Sequence, residues 1–238
     1  MILKKIKINN KLFKLYFKSG VFIPTATSYF LINDFIKFNK NIKNKKILDL
    51  GCGSGIISIA LADKLKKNRF FASDLSKNST ICCKKNFAKF KINGQIKTGN
   101  MLKPWSNYKF DYIINDISGI SSIIAKKSSW FNNVPSSSGL DGTKLTTEII
   151  KDGFNYLNKK GKLYLPLISL SNNQKILNLA KKKFKKVRII STNKWFLPNE
   201  LEKNHKLLFK MKANKQIYFE YKFGKFICFT KILELKKI

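Results

Sequence analysis

Arginine is nearly missing from this chain. Of its 48 basic residues only Arg69 and Arg188 are arginine, which argues against the bidentate guanidinium contacts that read base edges. Histidine occurs once, as His205, in a lysine-rich segment that reads as surface helix. Without a histidine–carboxylate pair beside a serine or cysteine, hydrolytic nucleophile chemistry has no basis. The four cysteines, Cys52, Cys82, Cys83 and Cys228, contain no C-x-x-C pair, so neither a zinc knuckle nor a disulfide framework is indicated. No metal is expected, and a reduced, cytoplasmic protein is. No apolar run approaches the ~20 residues of a membrane span. The opening MILKKIKINNKLFK alternates charged and apolar residues and lacks the unbroken apolar region of a signal peptide.

Acid is scarce as well. Only 13 Asp and Glu oppose the basic residues, giving a net charge of +35. Abundant lysine, asparagine, isoleucine and phenylalanine fit an AT-rich coding bias, yet a field this positive attracts polyanions whatever its origin. RNA, or a protein of the translation apparatus, is therefore the expected partner class. The run Lys181–Lys186 reads more simply as a solvated helix end than as a binding patch.

At 238 residues the chain suits one large α/β domain with a small appendage. Leu3–Ile8 and Lys11–Phe17 alternate around Asn9-Asn10, which predicts a β-hairpin. Residues 1–20 are thus expected as an N-terminal hairpin extension and 21–238 as the main domain. Thr27 or Ser28 is a candidate cap for a helix ending at Phe38. Strands are then expected at Lys46–Leu50, Arg69–Ser73, Gln95–Thr98, Phe110–Ile117, Leu163–Ile168 and Val187–Ser191. Helical spacing covers Ile56–Leu65, Ser76–Phe90, Thr146–Leu157 and Asn172–Phe184, and Gln216–Tyr221 with Lys225–Leu235 form an extended pair around Gly224. Strands alternating with helices imply a parallel sheet covered on both faces.

The most informative run is ILDLGCGSGIISIAL, Ile47 to Leu61. A buried strand carrying Asp49 leads into Gly51, Gly53 and Gly55, and a helix begins at once. Such a loop lets backbone approach a ligand closely, beside free helix N–H groups. A dinucleotide fingerprint would need a small residue at position 56, where Ile56 stands. The pattern D-x-G-x-G-x-G instead resembles motif I of the S-adenosylmethionine (SAM) methyltransferases. That resemblance implies a Rossmann-like, mostly parallel seven-stranded sheet with its last strand antiparallel, and SAM as cofactor.

Ligands of such sheets lie at the carboxyl ends of the strands. Asp74 ends the second strand, where a carboxylate can accept both ribose hydroxyl hydrogens. Asn100 follows the third, where an amide oxygen can accept from the adenine amino group. Asp49 is expected beside the amino-acid part of SAM or behind the glycine loop.

The fourth strand ends FDYIINDISGI. Many methyltransferases of planar nitrogens read F-D-x-I-x-x-[N/D]-P-P-[Y/F] here, which sets Asp116 on the polar position and Ile117, Ser118 and Gly119 on P-P-Y. Ser138–Ser169 is similar to the G-x-D-G-L…L-x-x-G-G-x-L segment of the release-factor glutamine methyltransferase (HemK-like) family, and Val21–Ile36 to its P-x-x-x-T-x-x-L-L segment. The resemblance spans roughly Val21–Ile168. It implies that Asp116 orients the acceptor nitrogen, with a substrate loop over Ser118–Thr143 that includes Ser118 and Trp130. The prolines and aromatic of N-P-P-Y are absent, so the covering face must come from Trp105, Trp130, Phe131 or Phe22. Trp195–Pro198 is expected to pack the end of the sixth strand. The implied activity is N-methylation of a protein amide or amine in the translation apparatus. The alternatives are RNA base methylation and a non-catalytic SAM- or RNA-binding module. Oligomeric state is open.

Overall fold

The computed structural model describes residues 1–117, 119–131, 134 and 136–237. In chain order the elements are β1 (Ile2–Ile8), β2 (Lys11–Phe17), α1 (Ala26–Phe38), β3 (Lys46–Leu50), α2 (Ile56–Lys64), β4 (Arg69–Asp74), α3 (Lys77–Lys89), β5 (Gly94–Thr98) and β6 (Phe110–Asn115). They continue as α4 (Ser122–Ala125), α5 (Lys144–Tyr156), β7 (Leu157–Ile168), α6 (Asn173–Lys183), β8 (Lys186–Phe196), α7 (Asn199–Glu202), α8 (His205–Ala213), β9 (Glu220–Lys222) and β10 (Lys225–Lys236).

The main sheet runs β5-β4-β3-β6-β7-β10-β8, with β9 paired to β10. The first five strands of this order are parallel, and β10 is antiparallel to β7, β8 and β9. This is the Rossmann-like methyltransferase fold expected from the sequence. Ile47, Leu48 and Leu50 of β3 are all buried because helices cover both faces, which is why the strand reads as a nearly continuous apolar run. On one face, α1 (Leu31, Ile32, Phe35), α2 and α3 share a core with the inward residues of the hairpin, Ile6, Ile8, Phe13, Leu15 and Phe17. On the other, α5 and α6 pack around Trp105, Phe110 and Leu163. A third cluster joins α4 to α7, α8 and the start of β10.

The hairpin forms as expected, with Asn9 in the left-handed region at φ +53°. Most boundaries fall within two residues of expectation, and the larger differences have physical reasons. Thr25, rather than Thr27 or Ser28, is the N-cap of α1, because Ser28 is buried and committed elsewhere. Strand β7 begins at Leu157 rather than Leu163 and takes in Lys159, Lys160 and Gly161, at a shift of register against β6. Strand β8 extends to Phe196, since β10 pairs with it along its whole length. Gln216 to Phe219 lie outside the ladder, and only Glu220–Lys222 pair with β10.

Candidate active site

Strand order reverses at β3: the chain steps outward from β3 through α2 to β4 and through α3 to β5, then returns to place β6 on the other side of β3. The carboxyl ends of strands at such a switch point splay into a crevice. A cavity of about 740 Å3 opens there, bounded by the glycine loop, the end of β4, the start of α1 and the segment after β6, and its size suits a nucleoside-sized ligand.

The glycine loop is pinned to the next strand: Gly51 and Cys52 donate their amides to the Ser73 carbonyl at 2.9 and 3.0 Å. Gly51 has φ +78°, and a Cβ on it would lie 2.4 Å from Cγ1 of Ile117. Gly53 has φ +52°, and its Cβ position is open, with the Phe22 carbonyl 3.8 Å away. Backbone there is bare to the cavity, as a closely approaching ligand requires. Gly55 is the N-cap residue of α2.

Asp74 sits at the tip of β4. Its Oδ2 accepts the Gly53 amide at 2.9 Å and its Oδ1 the Ser76 amide at 2.8 Å, so the carboxylate is aimed across the loop rather than away from it. Asn100 is exposed at the cavity rim, beside Gly99 and Met101. Leu75, next after Asp74, projects with 70 % of its surface exposed, an apolar side chain lining the cavity. Asp49 does not line it. This residue is 1 % exposed behind the loop, where Oδ2 accepts the Ser58 amide and hydroxyl at 3.1 and 2.9 Å and Oδ1 has no partner. Burial, opposed by the two Ser58 bonds and reinforced by the nearby Asp116 and Asp74, pushes its pKa up to about 7.

Asp116 follows β6 and faces the same cavity. Its Oδ2 accepts a 2.6 Å bond from the Ser28 hydroxyl, which in turn accepts the Thr25 amide at 3.3 Å. Burial raises its pKa to about 6, against the lowering effect of Ser28. Gly119 is buried, and a Cβ on it would lie 3.3 Å from the Thr146 hydroxyl. Ser118 lies outside the described residues.

Beyond Asp116 the cavity wall is aromatic. Phe22 and Phe131 are 5.5 Å apart between centroids, and Trp130 meets Trp195 edge to face at 5.9 Å. All four line the cavity, together with Pro166, Asn193 and Thr230. Two expectations are corrected here. Trp105 is fully buried between β4 and β6, donating to the Ser73 hydroxyl at 3.0 Å, and contributes no face to the cavity. Trp195 is not merely packing at a strand end: it stands in β8, donates to the Thr230 hydroxyl at 3.0 Å and joins the cavity wall. His205 is exposed, against Phe226.

Three contributors escaped the sequence reading. Ser28 was marked only as a possible cap, although a serine within the apolar face of a helix is a sign of a buried partner. Leu75 is a second, since an apolar residue just past a strand end, before a polar helix start, has nowhere to bury itself. Glu200 of α7 accepts the amide and hydroxyl of Ser129 at 2.8 and 2.9 Å and so braces the turn that carries Trp130; nothing in the sequence links those positions. The G-x-D-G segment anchors the other end of the loop. Asp141 accepts from Thr143 and from Lys175 at 3.0 Å, and although its burial acts the other way, these bonds hold its pKa below the ordinary carboxylate value.

Sheet order and glycine loop together give the chain the fold of the class I methyltransferases. In agreement, residues 15–116 match the family model of the methyltransferase small domain. The chain is 30 % identical to a release factor glutamine methyltransferase of Dictyoglomus turgidum, over 75 % of this chain and 65 % of that protein. It is 26 % identical to a putative protein N5-glutamine methyltransferase of Methanocaldococcus jannaschii, over 71 % of this chain and 82 % of that one. A solved structure of the Thermus thermophilus 16S rRNA N2 G1207 methyltransferase, in complex with AdoMet and guanosine, superposes with a TM-score of 0.66 at 13 % identity, covering all of this chain and 50 % of that one. That likeness is one of fold. Among the described residues no helix is long and apolar enough to cross a membrane.

Proposed function

We propose that the chain methylates a planar nitrogen, the side-chain amide of a glutamine-like residue in a protein of the translation apparatus. The observation that carries this reading is the carboxylate of Asp116, fixed by Ser28 at 2.6 Å and facing the cavity beside the glycine loop.

The donor set suits SAM. Gly51 and Gly53 leave bare backbone for the cofactor, Asp74 is the acceptor for its ribose hydroxyls, Asn100 for its adenine amino group, and Leu75 an apolar cover for the base. Asp49 acts from behind, by holding the loop to α2 through Ser58. When bound, SAM supplies an activated methyl: the N–C bond forms as the S–C bond breaks, and a proton leaves the nitrogen. The protein's task is alignment. Asp116 accepts an amide hydrogen and turns the nitrogen lone pair toward the methyl. Its raised pKa makes it a competent acceptor for the departing proton near neutrality. The Phe22–Phe131 and Trp130–Trp195 pairs supply apolar walls for a planar group, in place of the missing N-P-P-Y aromatic. Cytoplasmic residence, and residues 1–20 as an extension to the catalytic domain, belong to this reading.

A second reading, an RNA base as acceptor, is favoured by the aromatic walls, since stacking suits a base as well as an amide. Calorimetric titration with SAM tests the shared part. Wild type should bind, Asp74→Ala should lose at least about tenfold in affinity, given the cost of removing a charged hydrogen-bonding partner, and Asp116→Ala should bind as wild type does. Equal binding by wild type and Asp74→Ala would overturn the cofactor assignment.

A further inference from the structure

The net charge is not evenly spread. Residues 1–20 hold six lysines and no carboxylate, and residues 77–91, α3 and the two residues after it, hold five and none. The fold brings these two stretches together. Tyr16 of β2 exchanges hydrogen bonds with Asn86 of α3, amide to Oδ1 at 2.8 Å and Nδ2 to carbonyl at 3.0 Å. Lys85 and Lys89 lie over the Tyr16 ring, at 4.1 and 5.1 Å from its centroid, and the Lys89 ammonium donates to the Lys14 carbonyl at 2.7 Å.

Across the hairpin Lys14 stands directly opposite Lys5, and both are exposed. Like charges in that position repel and destabilise the ladder. Lys7, two residues along, shares their outward face. Among the described residues none of Lys5, Lys7, Lys14, Lys85 and Lys89 has an ion pair; the hairpin's one carboxylate partner, Asp63, is taken by Lys11. The inward face of the same hairpin is packed in the core, so the backbone from which Lys5, Lys7 and Lys14 project is fixed. The chain leaves the hairpin through Gly20, at the wall of the cavity.

We propose that the outward face of the β1–β2 hairpin and the adjoining edge of α3 form an RNA docking surface that grips phosphate oxygens beside the active-site cavity. Repulsion built into a rigid strand pair is relieved when phosphates lie between the lysines. Arginine is absent from the face, so the contact positions RNA without reading it. An RNA that carries the acceptor, or that carries the protein acceptor, would thereby be held at the mouth of the cavity. The surface deepens the assignment to the translation apparatus and rests on that reading for its biological role, but its binding chemistry is separable from catalysis.

The test compares two variants of equal net charge. Lys5→Gln, Lys7→Gln, Lys14→Gln and Lys85→Gln together remove four charges from the face. Lys181→Gln, Lys182→Gln, Lys183→Gln and Lys185→Gln remove four from the exposed end of α6 and the turn after it. Fluorescence anisotropy with a labelled RNA stem–loop, over a salt series, should show the first variant losing at least about tenfold in affinity and about 3 in the slope of log K against log salt, as expected for lost phosphate contacts. The second should stay close to wild type. Equal loss in both variants would overturn the proposal in favour of a diffuse field. Unchanged RNA binding by the first variant, with loss of affinity for a polyglutamate peptide, would overturn it in favour of an acidic protein partner. SAM titration of the same variants separates the two claims. Wild type that binds RNA but not SAM contradicts the methyltransferase reading alone, and the reverse contradicts the docking surface alone.

Discussion

Ser28 and Asp116 lie 88 positions apart in the chain and are joined by a hydrogen bond of 2.6 Å. The bond ties the first turn of α1 to the end of β6. It closes one side of the cavity with two residues from the segments that resemble the family before the first strand and after the fourth. A serine hydroxyl that donates to a buried carboxylate favours its ionised form, so Ser28 tunes as well as positions Asp116.

Replacing Asp116 by Ala should therefore cut turnover by roughly 100-fold or more, the scale of losing one well-placed polar group, while SAM binding holds. Asp116→Asn keeps an accepting oxygen but cannot take the departing proton, so it should retain only a small part of the activity and show no acid limb. In wild type the carboxylate is protonated below its pKa of about 6, so turnover should fall as pH drops through that value. Ser28→Ala removes the bond that lowers this pKa and should move the inflection upward. A pH profile of the maximal rate for all four proteins decides the matter; an unmoved inflection in Ser28→Ala contradicts the assignment.

Asp49 makes a stability prediction of defined sign. Its folded-state pKa of about 7 lies above the ordinary 3.8, so the folded chain holds a proton that the unfolded chain has released. Stability attributable to this group is greatest at low pH and is lost as pH rises from about 4 to about 7. Asp49→Asn removes the penalty and still offers Ser58 an acceptor. Its stability relative to wild type should rise across that window, by up to about 4 kcal/mol, with little difference near pH 4. Urea unfolding at pH 4.5 and pH 8 measures it; a variant less stable than wild type at pH 8 contradicts the account.

The three tryptophans should separate by readout. Trp105 is fully buried in the core between β4 and β6, so Trp105→Ala should cost about 3–5 kcal/mol of folding stability. Trp130→Ala and Trp195→Ala open the cavity wall instead. Each should raise the KM for the methyl acceptor and leave the SAM dissociation constant unchanged.

The fold was legible because it rests on local patterns. Alternation marked the hairpin, and unbroken apolar runs marked the buried parallel strands. Glycines at 51, 53 and 55 marked the switch point. Asp74, Asn100 and Asp116 were legible because strand ends at a switch point share one crevice. What the sequence hid depended on distant pairing. Trp195 looked like a strand end because the length of β8 is set by β10, 30 residues later. Trp105 looked like a candidate face because nothing local tells a buried tryptophan from one at a rim. The early start of β7 at Leu157 was hidden because Lys159, Lys160 and Gly161 carry no apolar alternation.

Glu200 offers a check on the loop. It accepts two bonds from Ser129, next to Trp130, from a part of the chain far from the glycine loop and Asp116 in sequence. Glu200→Ala should lower kcat/KM for the acceptor several-fold through KM, with folding stability reduced by only about 1–2 kcal/mol, and Glu200→Gln should recover part of the loss. A change confined to kcat would show that the loop is not braced in this way.

The most direct test of the central claim is transfer of radiolabelled methyl from SAM into a bacterial translation-apparatus fraction, followed by digestion with protease or with RNase. Label that depends on Asp116 and is released by protease, in methylated glutamine, is the predicted result. Label released by RNase instead, or no enzyme-dependent label at all, would contradict the protein-amide assignment.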